Sequence, residues 1–373
     1  MTEIYLIRHT QAEGNVYHAM QGHWDGDVTA LGLRQIDALA ERFRDVEIDA
    51  LYSSDLKRAM LTADALRRYR PLELRTRFDL REINVGPWEA RFFADIQWET
   101  PELTELFLHR AEEFYLEGAE TYGAVRRRAA DALEVIAREN EGRTVGIVSH
   151  GVTIRCLLSV ILQKPLDDPT LPICGNTGVT HLFYENGAWR VDYINDCSHL
   201  AALELPEWSR TPNLRSEPLD PKAEAAFYED CYADAWRFAH GTLEGFDAEV
   251  YLAAAAEHHR LDPETVQRFF NGEESVGLLD LDPRRGRLAG YGWISLLYLD
   301  EAHRARGLGV QLLGRALMYF RQRGRRAVRL HCAEDNPAAL AFYEKHGFRR
   351  LSSERGRFGK LYLMEYRFGE SHV

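Results

Sequence analysis

Short apolar runs alternate with amphipathic stretches along the first half of the chain. Ile4-Tyr5-Leu6-Ile7 is an apolar run that ends abruptly in Arg8-His9, the pattern of a short buried strand closing on polar groups. Leu33, Ile36, Leu39, Ala40 and Phe43 recur at helical spacing behind Thr29, which predicts a capped helix over 30–43. Residues 50–53 read as the next strand, and Ser54-Asp55 as the cap of a helix reaching about residue 69. A further strand is expected within 72–84, a helix over 122–140, a buried strand over 144–149, a helix over 152–162 and a last strand over 189–194. Between Thr10 and Val28 the chain is polar and reads as a loop, too polar for core. Strand–helix alternation predicts an α/β/α sandwich, a sheet with helices on both faces.

Residues 86–115 are rich in aromatics, among them Trp88, Phe92, Phe93, Trp98, Phe107, Phe114 and Tyr115. They fit a mixture: the core of a helical insertion, and an apolar wall over the strand ends.

The pattern lapses over 203–221, where Pro206, Pro212, Pro218 and Pro221 punctuate charged residues. The expected division is a first domain over 1–204, a linker over 205–212 and a second domain over 213–373. In the second, helices are expected over 222–240 and 246–259, and a hairpin joins 276–281 to 288–299. A helix opens at Val310, a strand covers 327–332, and Asn336-Pro337 starts a helix that Gly347 ends. This is a mixed α+β pattern.

The 373 residues suffice for two domains. A net charge of −12 argues against a nucleic-acid partner, so any phosphate site must be a local cluster of arginines. The five cysteines are scattered without CxxC spacing; neither a zinc site nor a disulfide framework is indicated, and reduced thiols in the cytoplasm are expected. The amino terminus carries no leader pattern, and no apolar run is long enough for a bilayer, so no membrane partner is expected. Oligomeric state stays open.

Candidate chemistry gathers at strand ends, where open α/β sheets bind ligands. Arg8 and His9 follow the first strand, Arg58 falls in the first turn of the helix after the second, and His150-Gly151 closes the strand over 144–149. Guanidinium groups bind phosphate bidentately. A neutral imidazole is a competent nucleophile toward phosphorus. Glu82, near the same end, can protonate a leaving alcohol. In the second half, Arg304-Ala305-Arg306-Gly307-Leu308-Gly309 lies between a strand and a helix, where glycines let backbone amides cradle a pyrophosphate.

Arg8-His9-Thr10 through Asn15 resembles the RHGxxxxN signature of the histidine phosphatase (phosphoglycerate mutase-like) superfamily, with Thr10 in place of the usual glycine. Ser53-Ser54-Asp55-Leu56-Lys57-Arg58-Ala59 with Thr62-Ala63 is similar to its SSxxxRAxxTA block. Leu80-Arg81-Glu82-Ile83 followed by Gly86 and Trp88-Glu89 resembles its acid-bearing segment, and Ser149-His150-Gly151 its second histidine motif. The resemblance covers about residues 1–200. It implies that His9 is a nucleophile forming a phosphohistidine. Arg8, Arg58 and His150 would hold the phosphoryl oxygens, Glu82 would be the general acid, and Asn15, Gln21 and Gly22 would contact phosphate or substrate. No metal is implied, and no carboxylate cluster suggests one. The family contains phosphatases and mutases; an aromatic rather than basic insertion favours a phosphatase acting on a phosphomonoester.

The 304–309 stretch resembles the Q/RxxGxG/A motif of GNAT acetyltransferases, and Asn336 through Phe342-Tyr343 to Gly347-Phe348 resembles their N…FYxxxGF motif. Acetyl-CoA as donor and an amine as acceptor are thereby implied. Arg304, Arg306, Gly307, Leu308, Gly309 and Asn336 would lie at the cofactor, the strand ending near Leu299 would pair with its pantetheine arm, and Tyr343 would protonate the departing thiolate or serve as core. Asp300-Glu301 replaces a commoner proline-containing approach, and no general base is evident. Two alternatives stand beside this bifunctional reading: a mutase, and a phosphatase whose second domain senses acetyl-CoA without transferring it.

Overall fold

The computed structural model describes residues 1–203, 211–356 and 359–369; most of the expected linker, from residue 204 to 210, lies outside them. The described residues divide into two compact units, the first over 1–203 apart from 16–18, and the second over 211–369 together with 16–18.

In the first unit the elements are β1 (Thr2–Arg8), α1 (Glu13–Tyr17), α2 (Ala30–Arg42), β2 (Ala50–Ser54), α3 (Lys57–Arg67), β3 (Leu74–Arg77), α4 (Phe93–Glu99), α5 (Pro101–His109), α6 (Tyr122–Glu139), β4 (Thr144–Ser149), α7 (Gly151–Ile161), β5 (Val179–Glu185) and β6 (Ala188–Asp196). The sheet order is β3-β2-β4-β1-β5-β6. The pairs among β3, β2, β4 and β1 are parallel, whereas β5 runs antiparallel to β1 and to β6. Alternating side chains of β1 explain the two layers of helices. Ile4 and Leu6 pack with Ala129, Leu133 and Ile136 of α6 and Leu157 of α7. Ile7, on the other face, packs with Ile36 and Leu39 of α2 and Ala63 and Leu66 of α3. Parallel pairing brings the carboxyl ends of β1, β2 and β4 to one edge of the sheet.

Two local expectations are corrected. The polar stretch after Thr10 contains α1, and Thr10, Gln11 and Glu13 are buried. Burial is possible because the polar groups are bonded: the Thr10 hydroxyl donates to the Gly32 carbonyl at 2.6 Å, and Glu13 Oε2 accepts the Asp27 N–H at 2.8 Å. At the start of α3 neither Ser54 nor Asp55 is the cap residue. Ser54 Oγ accepts the Leu56 N–H just before the helix, and Asp55 binds Arg81 through both carboxylate oxygens, each at 2.6 Å. In the aromatic insertion, Trp88, Phe107 and Phe114 pack on one another at ring distances of 5.1–5.7 Å and form ordinary core, while Trp98 and Tyr115 are exposed.

The second unit contains β7 (Arg215–Pro218), α8 (Ala225–His240), α9 (Ala248–Leu261), β8 (Val266–Asn271), β9 (Glu274–Asp282), β10 (Tyr291–Leu299), α10 (Gly309–Gln322), β11 (Ala327–Ala333), α11 (Pro337–Lys345), β12 (Arg349–Arg355) and β13 (Lys360–Arg367). Its sheet runs β12-β13-β11-β10-β9-β8-β7. Only the β10–β11 pair is parallel, and it is short: Tyr291–Trp293 faces Ala327–Arg329, after which β10 stays with β9 alone. No free cysteine is paired; all five are thiols.

Candidate active site

His9 leaves the end of β1 and is buried. Its Nδ1 lies 2.6 Å from the Thr10 carbonyl. A carbonyl can only accept, so Nδ1 carries the proton and Nε2 keeps a lone pair. The His150 ring, at the end of β4, stands 5.0 Å from that of His9. Burial, and after it the positive charge of Arg58, holds both histidines well below their ordinary value, with Arg8 adding to the effect. Both imidazoles are therefore held neutral.

Arg58 is fully buried in the first turn of α3. Its Nη1 donates to the Trp24 carbonyl at 2.9 Å and its Nη2 to the Gly22 carbonyl at 2.7 Å, with Asp25 Oδ1 3.4 Å away. Gly22, expected at the substrate, is thus an anchor for Arg58. Glu89 fixes that loop by accepting the N–H groups of His23, at 2.8 Å, and Trp24. Arg8 Nη1 donates to the Cys174 carbonyl.

Four buried nitrogens on these side chains have no partner: Arg8 Nε, Arg58 Nε and both ring nitrogens of His150. Buried polar groups are nearly always satisfied. Their gathering beside His9, with two guanidinium charges, describes a pocket for a compact anion.

Glu82 lies at the amino end of α7. Its Oε1 accepts the N–H groups of Thr153 and Ile83, both at 3.1 Å, and Oε2 accepts that of Val152 at 3.2 Å. The Thr153 hydroxyl donates to the Arg81 carbonyl at 2.7 Å. Arg128 clamps the same segment from α6, donating to the carbonyls of Asp79, Arg81 and Glu82 at 2.8–2.9 Å while Glu120 pairs with it. Thr153, Arg128 and the loop-fixing role of Glu89 were not evident in the sequence. Asn15 sits behind the nucleophile: its Oδ1 accepts the Ala12 N–H at 3.0 Å, and Asn176 donates to the His9 carbonyl at 2.9 Å. Gln21 Oε1 is buried without a partner.

In the second unit, β10 parts from β11 after Trp293, which leaves the Ile294–Leu299 edge without a strand on that side among the described residues. The loop beyond carries Ala305 at φ 57° and Gly307 at φ 77°, both left-handed, and α10 begins at Gly309 with no side-chain cap on its first amides. Leu308 is buried; Arg306 is exposed, its Nη1 3.3 Å from the Ala302 carbonyl. Two expected cofactor residues are otherwise engaged. Arg304 Nε donates to the Leu299 carbonyl at 2.8 Å and Nη2 to Asp234 at 2.6 Å. Asn336 caps α11, accepting the Ala339 N–H at 3.0 Å. Tyr343 is buried between Phe342 and Phe348, and burial raises its phenol above the ordinary value, so it keeps its proton. Among the described residues one group, Glu274, Asp300 and His303, could hold a metal. Asp300 Oδ1 there is already bonded to His303 Nδ1, at 2.7 Å, and to its N–H.

Comparison with known proteins identifies a family for each unit. Residues 4–197 match the family described as histidine phosphatase superfamily (branch 1), and residues 226–348 match the acetyltransferase (GNAT) family. A metal-independent phosphoserine phosphatase of Arabidopsis thaliana is 31% identical over 54% of this chain and 85% of its own. A probable phosphoglycerate mutase, GpmB of Proteus mirabilis, is 28% identical over 56% of this chain and all of its own. Among solved structures, YhfR of Bacillus stearothermophilus superposes with a TM-score of 0.52 and 32% identity, over 54% of this chain and all of that one. No helix among the described residues is long and apolar enough to cross a membrane.

Proposed function

Because this chain belongs to the histidine phosphatase superfamily (branch 1) and carries a GNAT-family domain behind it, we propose that it is a cytoplasmic bifunctional enzyme. The first unit hydrolyses a small phosphomonoester without a metal, and the second transfers an acetyl group from acetyl-CoA to an amine. The observation that carries the first activity is the set of four unpartnered buried nitrogens around a neutral His9 whose free atom is Nε2.

His9 Nε2 attacks phosphorus. Arg8, Arg58 and His150 take the phosphoryl oxygens and stabilise charge as it builds. The Thr10 carbonyl, already bonded to Nδ1–H, steadies the imidazolium that forms. Glu82 gives its proton to the leaving oxygen; the P–O bond breaks as the P–N bond forms. Water then attacks the phosphohistidine, Glu82 takes a proton from it, and His9 leaves as neutral imidazole.

Acetyl-CoA would lie with its pyrophosphate on the amides of Arg306 to Gly309 and its pantetheine along the free edge of β10. Tyr343 would return a proton to the thiolate. The sensing alternative keeps a specific support: Tyr291–Leu299 carries no carboxylate or histidine to deprotonate an amine.

A phosphate-release screen over phosphomonoesters, in the presence of a chelator, tests the first reading. Release by the wild type and none by His9→Ala supports it. Isomerisation of phosphoglycerate faster than its hydrolysis would replace it with a mutase.

A further inference from the structure

A second anion site is built at the far end of the second unit's sheet. β10 and β11 begin there, whereas the 304–309 loop follows the opposite end of β10. Nine residues of strand at about 3.3 Å each separate the two ends by roughly 25–30 Å. Between the strand starts lies a cavity of about 520 Å³, a volume suited to a nucleotide-sized molecule.

Four arginines line the cavity, Arg325, Arg326, Arg329 and Arg367, against one carboxylate, Glu365. That carboxylate is used twice, by Arg329 Nε at 2.6 Å and Arg367 Nε at 2.5 Å. The local charge is therefore strongly positive in a chain whose net charge is −12. Arg325, which lines the cavity, also has a buried Nε with no partner, and an orphaned buried N–H marks a missing acceptor. The wall is held in place. Arg326 N–H donates to the Gly290 carbonyl at 2.8 Å, and Phe368 N–H to the Arg326 carbonyl at 3.1 Å. Gly290 adopts φ 81°, and a side chain there would stand 3.1 Å from Arg326 Nε, so glycine leaves the guanidinium its space. The Arg329 guanidinium lies over the Tyr291 ring, 4.1 Å from its centroid, which steadies both side chains at the cavity.

We propose that this cavity binds a phosphorylated small molecule, its phosphate held by Arg325 and Arg326. The site is distinct from the catalytic pocket and from the acetyl-CoA loop.

Calorimetric titration of the full chain with inorganic pyrophosphate tests this, comparing wild type with Arg325→Glu/Arg326→Glu. With acetyl-CoA present at saturation to fill the 306–309 loop, two pyrophosphate binding events are expected in the wild type, one at His9 and one here. The second should weaken at least tenfold in the variant, while the thermal unfolding of the full chain, which reports the folding of both units, stays unchanged. Gly290→Val should weaken the same event by obstruction. Titration with a nucleoside diphosphate distinguishes ligands: tighter binding than pyrophosphate, abolished by the same variants, assigns the rest of the cavity to a nucleoside. A single binding event in the wild type, or an isotherm the variants leave unaltered, overturns the proposal.

Discussion

Thr153 holds Glu82 by two routes: its N–H donates to Glu82 Oε1 at 3.1 Å, and its hydroxyl donates to the carbonyl of Arg81, the preceding residue, at 2.7 Å. The carboxyl group is thereby aimed by the first turn of α7. Thr153→Val keeps the shape and the N–H but loses the hydroxyl. It should slow hydrolysis of alkyl phosphates roughly tenfold, since misplacing a general acid forfeits part of the 10²–10⁴-fold such groups supply. Glu82→Gln should slow the same esters more. Aryl phosphates, whose leaving groups need no proton, should respond little to either change. Equal losses on both ester classes in a leaving-group series would remove Glu82 from the acid role.

Arg58 is a buried cation anchored by the Gly22 and Trp24 carbonyls. Lysine keeps the charge but not the fork that spans both carbonyls and an anion. Arg58→Lys should therefore lower kcat/KM by about 10²–10³, the range seen when one oxyanion donor is lost, and steady-state kinetics on any active ester will read it.

His9 and His150 are kept neutral by burial and by Arg58. In the unfolded chain a histidine binds its proton near pH 6.5. Below that pH the unfolded state binds more protons than the folded one, so stability falls as pH drops through the unfolded value. Above it the two states match and the effect ends. Thermal unfolding of the ligand-free protein should show this slope between about pH 5 and 6.5, and His150→Asn should flatten it.

In the second unit, Asn336→Ala removes the α11 cap and should lower stability by about 1 kcal/mol, leaving acetyl-CoA affinity unchanged. Gly307→Val should lower acetyl-CoA affinity as well as stability, because φ 77° suits glycine and the loop amides depend on it. Denaturation and acetyl-CoA titration of both variants separate the two roles.

What the sequence disclosed follows from how each residue is satisfied. β1, β2 and β4 are apolar runs buried on both faces, and the catalytic side chains stand immediately beyond them or in the next helical turn. By contrast, β5 interrupts its apolar residues with His181, which is buried only because Glu3 and Asp192 bond to it. β7 ends in Pro218, which reads as a breaker but is tolerated on the sheet's edge. Every residue of β12 is exposed, so no alternation marks it. Thr153 and Arg128 bind backbone carbonyls brought from distant segments, and Arg304, expected at the cofactor, binds the Leu299 carbonyl at the strand end. No local pattern encodes such partners.

The central claim is that His9 carries the phosphoryl group between the two half-reactions. Rapid acid-free quenching of the enzyme during turnover, followed by peptide mass spectrometry, addresses it directly. One phosphoryl group on His9, lost on mild acid treatment and absent from His9→Ala, is the expected result. Steady turnover with no phosphohistidine at any quench time, while Glu82→Gln also fails to trap one, would contradict the account and point to direct attack by water.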